Sequence, residues 1–237
     1  MKKIQDVQKV VERWDPFSDQ LWLRGFNEKI INEILPYIKN KNIIDAGCGC
    51  GLFEKMATAK MPRMIDAYDI SKSALDTARK YLADDYQTNK VNFDQKNFNL
   101  SGFKKNKYHL AVSIEVIEHL TKYKFYLKNL YDSLVKGGML FISTPNKDRS
   151  PGLNHYHVKE FTYDQMNNLL NETGFKVKNA IGIERNDASK FTEYHVSQPI
   201  INLVKKLPVY GLLIRLFFNF KKVTPQDAST ILYIAVK

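Results

Sequence analysis

The run IIDAGCGCG, residues 43–51, constrains the fold of this chain more than any other stretch. Two strand-forming residues, Ile43 and Ile44, lead into Asp45 and then into three alternate glycines, Gly47, Gly49 and Gly51. Glycine accepts a positive φ, so such a turn folds tightly and lets a ligand approach the backbone. The residues beyond it, LFEKMATAK, predict a helix whose first N–H groups point into the turn. Dinucleotide enzymes also place a glycine-rich turn between strand and helix. Here Asp45 would repel a pyrophosphate, and it suits a ligand with a cationic amino-acid portion.

The segments that follow alternate in the same way. MIDAYDIS, 64–71, predicts a second strand ending in Asp69. SKSALDTARKYL, 71–82, predicts a helix capped by Ser71 or Ser73. VNFDQKNF, 91–98, predicts a third strand, and YHLAVSIEV, 108–116, a fourth that is apolar enough to be buried on both faces. A helix to about Leu134, ended by Gly137-Gly138, precedes a fifth strand, MLFIST, 139–144. FTYDQMNNLLNETGF, 161–175, predicts a helix closed by Gly174, with final strands over 175–184 and 229–237. Alternating strands and helices imply an α/β fold with a doubly wound, mostly parallel sheet, here of seven strands. Right-handed crossovers put the carboxyl ends of the parallel strands along one edge, where open α/β sheets bind ligands.

Around this core the expected organisation is one domain. A helical N-terminal cap covers 1–40, the core 41–184, an insertion 185–228 and the final strand 229–237. The insertion is long for a loop, and such loops carry function or mobility. Its PIINLVKKLPVYGLLIRLFFNFKK, 199–222, mixes apolar residues with Lys205, Lys206, Arg215, Lys221 and Lys222. It reads either as a lid or as an amphipathic element at a membrane interface.

Charge narrows the partners. The chain carries 36 basic and 25 acidic residues, net +11, but 1–100 is nearly balanced. Residues 101–150 hold 9 basic against 4 acidic, and 201–237 hold 6 against 1. Such segments suit a phosphate-bearing substrate or an anionic membrane surface, and equally serve solubility. The two cysteines, Cys48 and Cys50, stand too close for an ordinary disulfide and read as reduced thiols of a cytoplasmic protein. No run approaches the roughly 18 apolar residues of a membrane span. The expected location is cytoplasmic or peripheral to a membrane.

IIDAGCGCG, followed by YDIS and later IEVIEHL, resembles the class I S-adenosylmethionine-dependent methyltransferases over about residues 40–184. The resemblance implies a Rossmann-like methyltransferase fold with S-adenosylmethionine as cofactor. It places Gly47, Gly49 and Gly51 against the methionine portion, Asp69 on the ribose hydroxyls, and adenine near Asn97 and Phe98. Asp45, Cys48, Ile70 and Glu115 complete the implied contacts. Asn97 stands where relatives often have Asp. His109 replaces an Asp of the fourth strand and is assigned no role.

SIEVIEHL, 113–120, concentrates Glu115, Glu118 and His119 where the fourth strand ends. If the chain turns helical there, spacings of three and four bring these side chains to one side. The downstream TPNKDRSPGLNHYHVKEFT, 144–162, holds His155 and His157. The combined pattern resembles ubiquinone-pathway O-methyltransferases, which act on catechol-like rings bearing a prenyl tail. It also resembles small-RNA 3′-end 2′-O-methyltransferases, in which two Glu and two His bind a divalent ion. By that resemblance Glu115, Glu118, His119 and His157 are metal ligands for Mg²⁺, Mn²⁺ or Zn²⁺, with His155 the alternative to His157. A bound cation would lower the pKa of an acceptor hydroxyl and orient it. His119 or His157 acting as a metal-free base beside Glu115, or a purely structural cluster, stays open. The expected activity is methyl transfer to a hydroxyl of a small-molecule or lipid-linked acceptor. The alternatives are RNA 2′-O-methylation and a cofactor-binding protein without turnover.

Overall fold

The computed structural model describes residues 21–83, 88–150, 154, 156–185 and 220–237. Its elements are α1 (Leu21–Ile34), β1 (Asn42–Ala46), α2 (Leu52–Thr58), β2 (Met64–Asp69), α3 (Lys72–Leu82), β3 (Val91–Gln95) and β4 (Tyr108–Ile114). They continue with α4 (Tyr123–Ser133), β5 (Leu134–Pro145), α5 (Tyr163–Thr173), β6 (Lys176–Arg185), β7 (Phe220–Val223) and β8 (Thr230–Val236). The sheet order is β3-β2-β1-β4-β5-β8-β6-β7. Strands β3, β2, β1, β4 and β5 pair in parallel, and β8, β6 and β7 pair antiparallel.

Neighbouring strand residues point to opposite faces, so the β1 pair Ile43-Ile44 feeds two separate cores. Ile44 packs with Tyr126, Leu127 and Leu130 of α4 and with Met166 and Leu170 of α5. Ile43 packs with Ile30, Ile31 and Ile34 of α1, Phe53 of α2 and Leu75 of α3. Each of these wholly buried aliphatic side chains contributes about 1.5–3 kcal/mol. Both faces of the parallel sheet are thus covered, as its apolar strands require.

Local chemistry sets the element ends. Ser71 caps α3, its hydroxyl accepting the Ala74 N–H. Thr162 and Gln165 form a reciprocal capping box at the start of α5. Gly174 closes α5 in the left-handed conformation at φ 109°, where a Cβ would stand 3.0 Å from the Tyr131 ring. Gly174→Ala is therefore expected to lower stability by about 1–2 kcal/mol, read as a reduced urea midpoint.

Several expectations need correction. Among the described residues the sheet has eight strands rather than seven, because β7 forms inside the segment assigned to the insertion. FKKV is too short to announce a strand. Its place follows from pairing with β6 and from the Lys222–Glu33 ion pair at 2.7 Å, which ties it to α1. Gly137 and Gly138 do not end the helix. It closes at Ser133, and both glycines lie in β5 at an irregularity where pairing jumps from Tyr108↔Leu134 to Leu110↔Met139. Gly137 takes φ 76° there, which a glycine adopts without strain. The third and fourth strands end earlier than expected, at Gln95 and Ile114. His109 Nδ1 accepts the Asn42 N–H at 3.2 Å, a contact that steadies β1. The amphipathic stretch of the insertion over 199–219, residues 1–20 of the N-terminal cap and His155 lie outside the described residues. No described helix is long and apolar enough to cross a membrane.

Candidate active site at the carboxyl edge of the sheet

The glycine-rich turn leaves β1 with Gly47, Gly49 and Gly51 at φ 104°, 53° and 87°. All three occupy the left-handed region that the sequence predicts for them. The Gly47 and Cys48 N–H groups donate to the Tyr68 carbonyl at 2.8 and 3.0 Å. A Cβ on Gly47 would come within 2.2 Å of Val116 Cγ2, so this turn packs directly against the SIEVIEHL segment.

Asp69, at the end of β2, is buried, and its oxygens accept Gly49 N–H at 2.9 Å and Ser71 N–H at 2.8 Å. It braces the turn and the α3 cap together. An ionised carboxylate offers about four acceptor positions, so both oxygens keep capacity for a ligand hydroxyl. Burial raises its pKa, and the amides of Ser71, Gly49 and Ile70 oppose that rise. Ile70 is half-buried beside it, and its carbonyl accepts from Gln95. The Cys48 thiol is buried and pushed up by burial and nearby carboxylates.

Sequence reasoning missed Glu54. This carboxyl is wholly buried on α2 and faces Asp45. Neither of its oxygens meets a donor, and two carboxyls bond to each other only when one is protonated. Burial, then the charge and hydrogen bond of Asp45, raise Glu54 well above the carboxylate range. Asp45 is raised to about 7, chiefly by burial.

Around Asn97 and Phe98, the residues expected near adenine, the structure shows local contacts. Asn97 Oδ1 accepts its own loop's Asn99 N–H at 3.0 Å. Phe98 is buried with Phe103 and Tyr126 at centroid distances of 5.6 and 5.3 Å.

SIEVIEHL turns more sharply than a strand running into a helix. β4 stops at Ile114, Glu115 takes φ 55°, and Ile117–His119 form a 3-10 turn. A non-glycine residue in that region is strained and persists only where its surroundings hold it. Ser143 does so, accepting the Glu115 N–H at 3.1 Å and donating its hydroxyl to Glu115 Oε1 at 2.8 Å. Burial, then the charge of Glu118, raise the Glu115 pKa.

Beyond the turn, Glu118, His119 and His157 each place one ligand atom within 4.8 Å of the others. Glu115 lies outside that group, and the Ser143 hydroxyl holds its Oε1. Glu118 is fully buried. Thr144 donates to its Oε2 at 3.2 Å, and its Oε1 has no partner. Burial raises it to about 8. His119 Nδ1 lies 3.1 Å from the Tyr156 carbonyl, and its Nε2 lies 3.9 Å from Glu118 Oε1. A carbonyl only accepts, so Nδ1 carries the hydrogen and Nε2 is bare. His157 stands with its ring centroid 5.0 Å from that of His119. Its Nδ1 is 2.5 Å from Glu160 Oε1, and its Nε2 is 2.7 Å from Asn154 Nδ2. Burial lowers both histidines, which favours neutral imidazoles. Asn154 and Glu160 were also missed, although the three-residue spacing of His157 and Glu160 is visible in HVKE.

The raised carboxyls predict a pH dependence. Unfolded carboxyls lose their protons near pH 4, about where exposed Asp and Glu titrate. The folded protein holds those of Asp45 and Glu118 to about 7 and about 8. Their contribution to stability is complete below the unfolded values and is lost as pH rises through the folded ones. The thermal midpoint of the ligand-free protein is expected to fall between pH 5 and pH 8.5, read by scanning calorimetry.

A family model described as a methyltransferase domain matches residues 20–180, more than half of the chain. The chain belongs to the methyltransferase-domain family. Among similar curated proteins, a ubiquinone biosynthesis O-methyltransferase of Pelagibacter ubique is 28% identical over 161 residues, 62% of this chain and 65% of that protein. One of the same name from Coxiella burnetii is 29% identical over 137 residues, 57% of each chain. The match thus spans less than two thirds of these relatives' length. A solved S-adenosylmethionine-dependent methyltransferase from Mesorhizobium loti superposes with a TM-score of 0.60 at 15% identity, covering 88% of this chain and 96% of its own. At that identity the likeness is one of fold, and it agrees with the Rossmann-like sheet. The sheet and the family match together identify a methyltransferase domain.

Proposed function

We propose that this methyltransferase moves the methyl group to a hydroxyl oxygen of a small-molecule or lipid-linked acceptor. In this reading Glu118, His119 and His157 hold a divalent cation beside that hydroxyl. The observation that carries it is a largely buried cluster whose three ligand atoms lie within 4.8 Å of one another. Glu118 Oε1 is buried and unpaired, His119 Nε2 is bare, and His157 Nε2 meets only the Asn154 amide. Such a group is stabilised by a cation or by a donated proton. One carboxylate and two neutral imidazoles suit Zn²⁺ or Mn²⁺, and Mg²⁺ with added waters. The names of the curated relatives support an oxygen acceptor.

S-adenosylmethionine, when bound, supplies an electrophilic methyl. The chain's own residues set where that methyl lies. The positive-φ glycines cradle the methionine portion, Asp45 faces its ammonium, and Asp69 takes the ribose hydroxyls. Cys48, Ile70, Asn97, Phe98 and Glu115 line the remainder. A divalent cation, when bound, lowers the acceptor hydroxyl's pKa. His119 Nε2 is also placed to take a proton.

The test is incubation of purified protein with methyl-labelled cofactor and cell extract, with and without EDTA. Label is expected in lipid or small-molecule fractions, lost with EDTA and restored by a divalent ion. Label that ignores EDTA would convert the cluster to a metal-free base. Label in RNA would overturn the acceptor assignment.

A further inference from the structure

Glu160 has no place in the scheme above, yet it makes the shortest hydrogen bond to the cluster, at 2.5 Å to His157 Nδ1. Both side chains are 11% exposed, so this is not a solvated surface pair. An ionised carboxylate only accepts, so the shared hydrogen belongs to Nδ1 and the lone pair to Nε2. His119 is set in the same tautomer by a different group, the Tyr156 carbonyl. The segment from Tyr156 to Glu160 thus orients both imidazoles. The same segment is tied to the third member, because the Val158 and Lys159 N–H groups donate to the Glu118 carbonyl at 2.7 and 3.1 Å. A third carboxylate near Glu115 and Glu118 repels both.

We infer that Glu160 is a positioning residue: its carboxylate holds His157 as the Nδ1–H tautomer, leaving on Nε2 a lone pair that accepts from the Asn154 amide here and that the acceptor or its cation takes over when bound. It acts through the imidazole and touches no substrate. Carboxylates hydrogen-bonded to ligand histidines orient the ring and raise its basicity, and losing one typically lowers metal affinity or activity by about 10- to 100-fold. The inference rests on the proposed function only for the use made of Nε2. The tautomer stands apart from any acceptor.

The experiment reads His157 by two-bond imidazole proton–nitrogen correlation in the metal-free, cofactor-free protein at pH 8, where the ring is neutral. Resonances are assigned with His157→Gln. The wild type is expected to show Nδ1–H. Glu160→Ala should shift His157 toward Nε2–H and lower kcat about 10- to 100-fold, with the KM for S-adenosylmethionine unchanged. Glu160→Gln keeps an oxygen acceptor and should hold the Nδ1–H form with most of the turnover. An unchanged tautomer or undiminished kcat in Glu160→Ala would overturn the assignment. Failure to find any hydroxyl acceptor would instead count against the proposed function, since the tautomer is read without one.

Discussion

Replacing His119 by alanine is expected to lower kcat by about 10²- to 10⁴-fold, the range over which a positioned acid–base or cation-holding group acts. Cofactor affinity should stay near the wild-type value, because the ring faces Glu118 and Tyr156 rather than the glycine-rich turn. The two quantities separate the candidate roles. Calorimetric titration with S-adenosylhomocysteine reads the first site, and steady-state turnover reads the second. If His119→Ala loses both equally, the histidine supports the turn and is not part of the chemistry. If it loses neither, the acceptor cluster is structural. His119 is a cleaner test than Glu118, whose removal would also free Thr144 and disturb a buried hydrogen bond.

The second large effect is expected at Gly47. Gly47→Ala places a methyl 2.2 Å from Val116 Cγ2 at a φ of 104°. A side chain held in such a region costs about 1–3 kcal/mol, and the clash adds to it. A loss of about 10²-fold in S-adenosylhomocysteine affinity should follow, with circular dichroism showing a folded chain. Val116→Ala removes the clash partner but not the strained φ. The double variant is therefore expected to recover only part of the affinity. Full recovery would mean that packing alone, and not the backbone conformation, makes glycine necessary here.

These two residues mark how the site was legible in the sequence. Gly47 announced itself because alternate glycines after a strand describe a backbone conformation, and backbone conformation is local. His119 and Glu118 announced themselves because the strand ends beside them. The sequence did not show which carboxylate joins the cluster. Glu115 and Glu118 look equivalent in SIEVIEHL, and the family resemblance implied both as ligands. The structure separates them, because Ser143 of β5 captures Glu115 while Glu118 Oε1 is left unpaired. Ser143 lies 28 residues away, and only the β4–β5 pairing brings it there.

The same distinction holds for Glu54 and β7. Glu54 reads as an ordinary helix residue until α2 packs against β1 and faces it with Asp45. FKKV becomes a strand only because β6 offers it an edge.

The sequence by itself determined what nearest-neighbour chemistry controls. It specified the alternation of strands and helices, the Ser71 cap, the Gly174 stop, the positive-φ turn and the edge on which the acids gather. Those features follow from hydrophobic period, caps and glycine, all of which act within a few residues. The tertiary structure alone decided the eighth strand, the partner of each buried carboxyl and the tautomers of His119 and His157. Each of these depends on a group far along the chain. Burial then magnifies whether a polar atom finds a partner, since an unpaired group is tolerated in water and costly away from it.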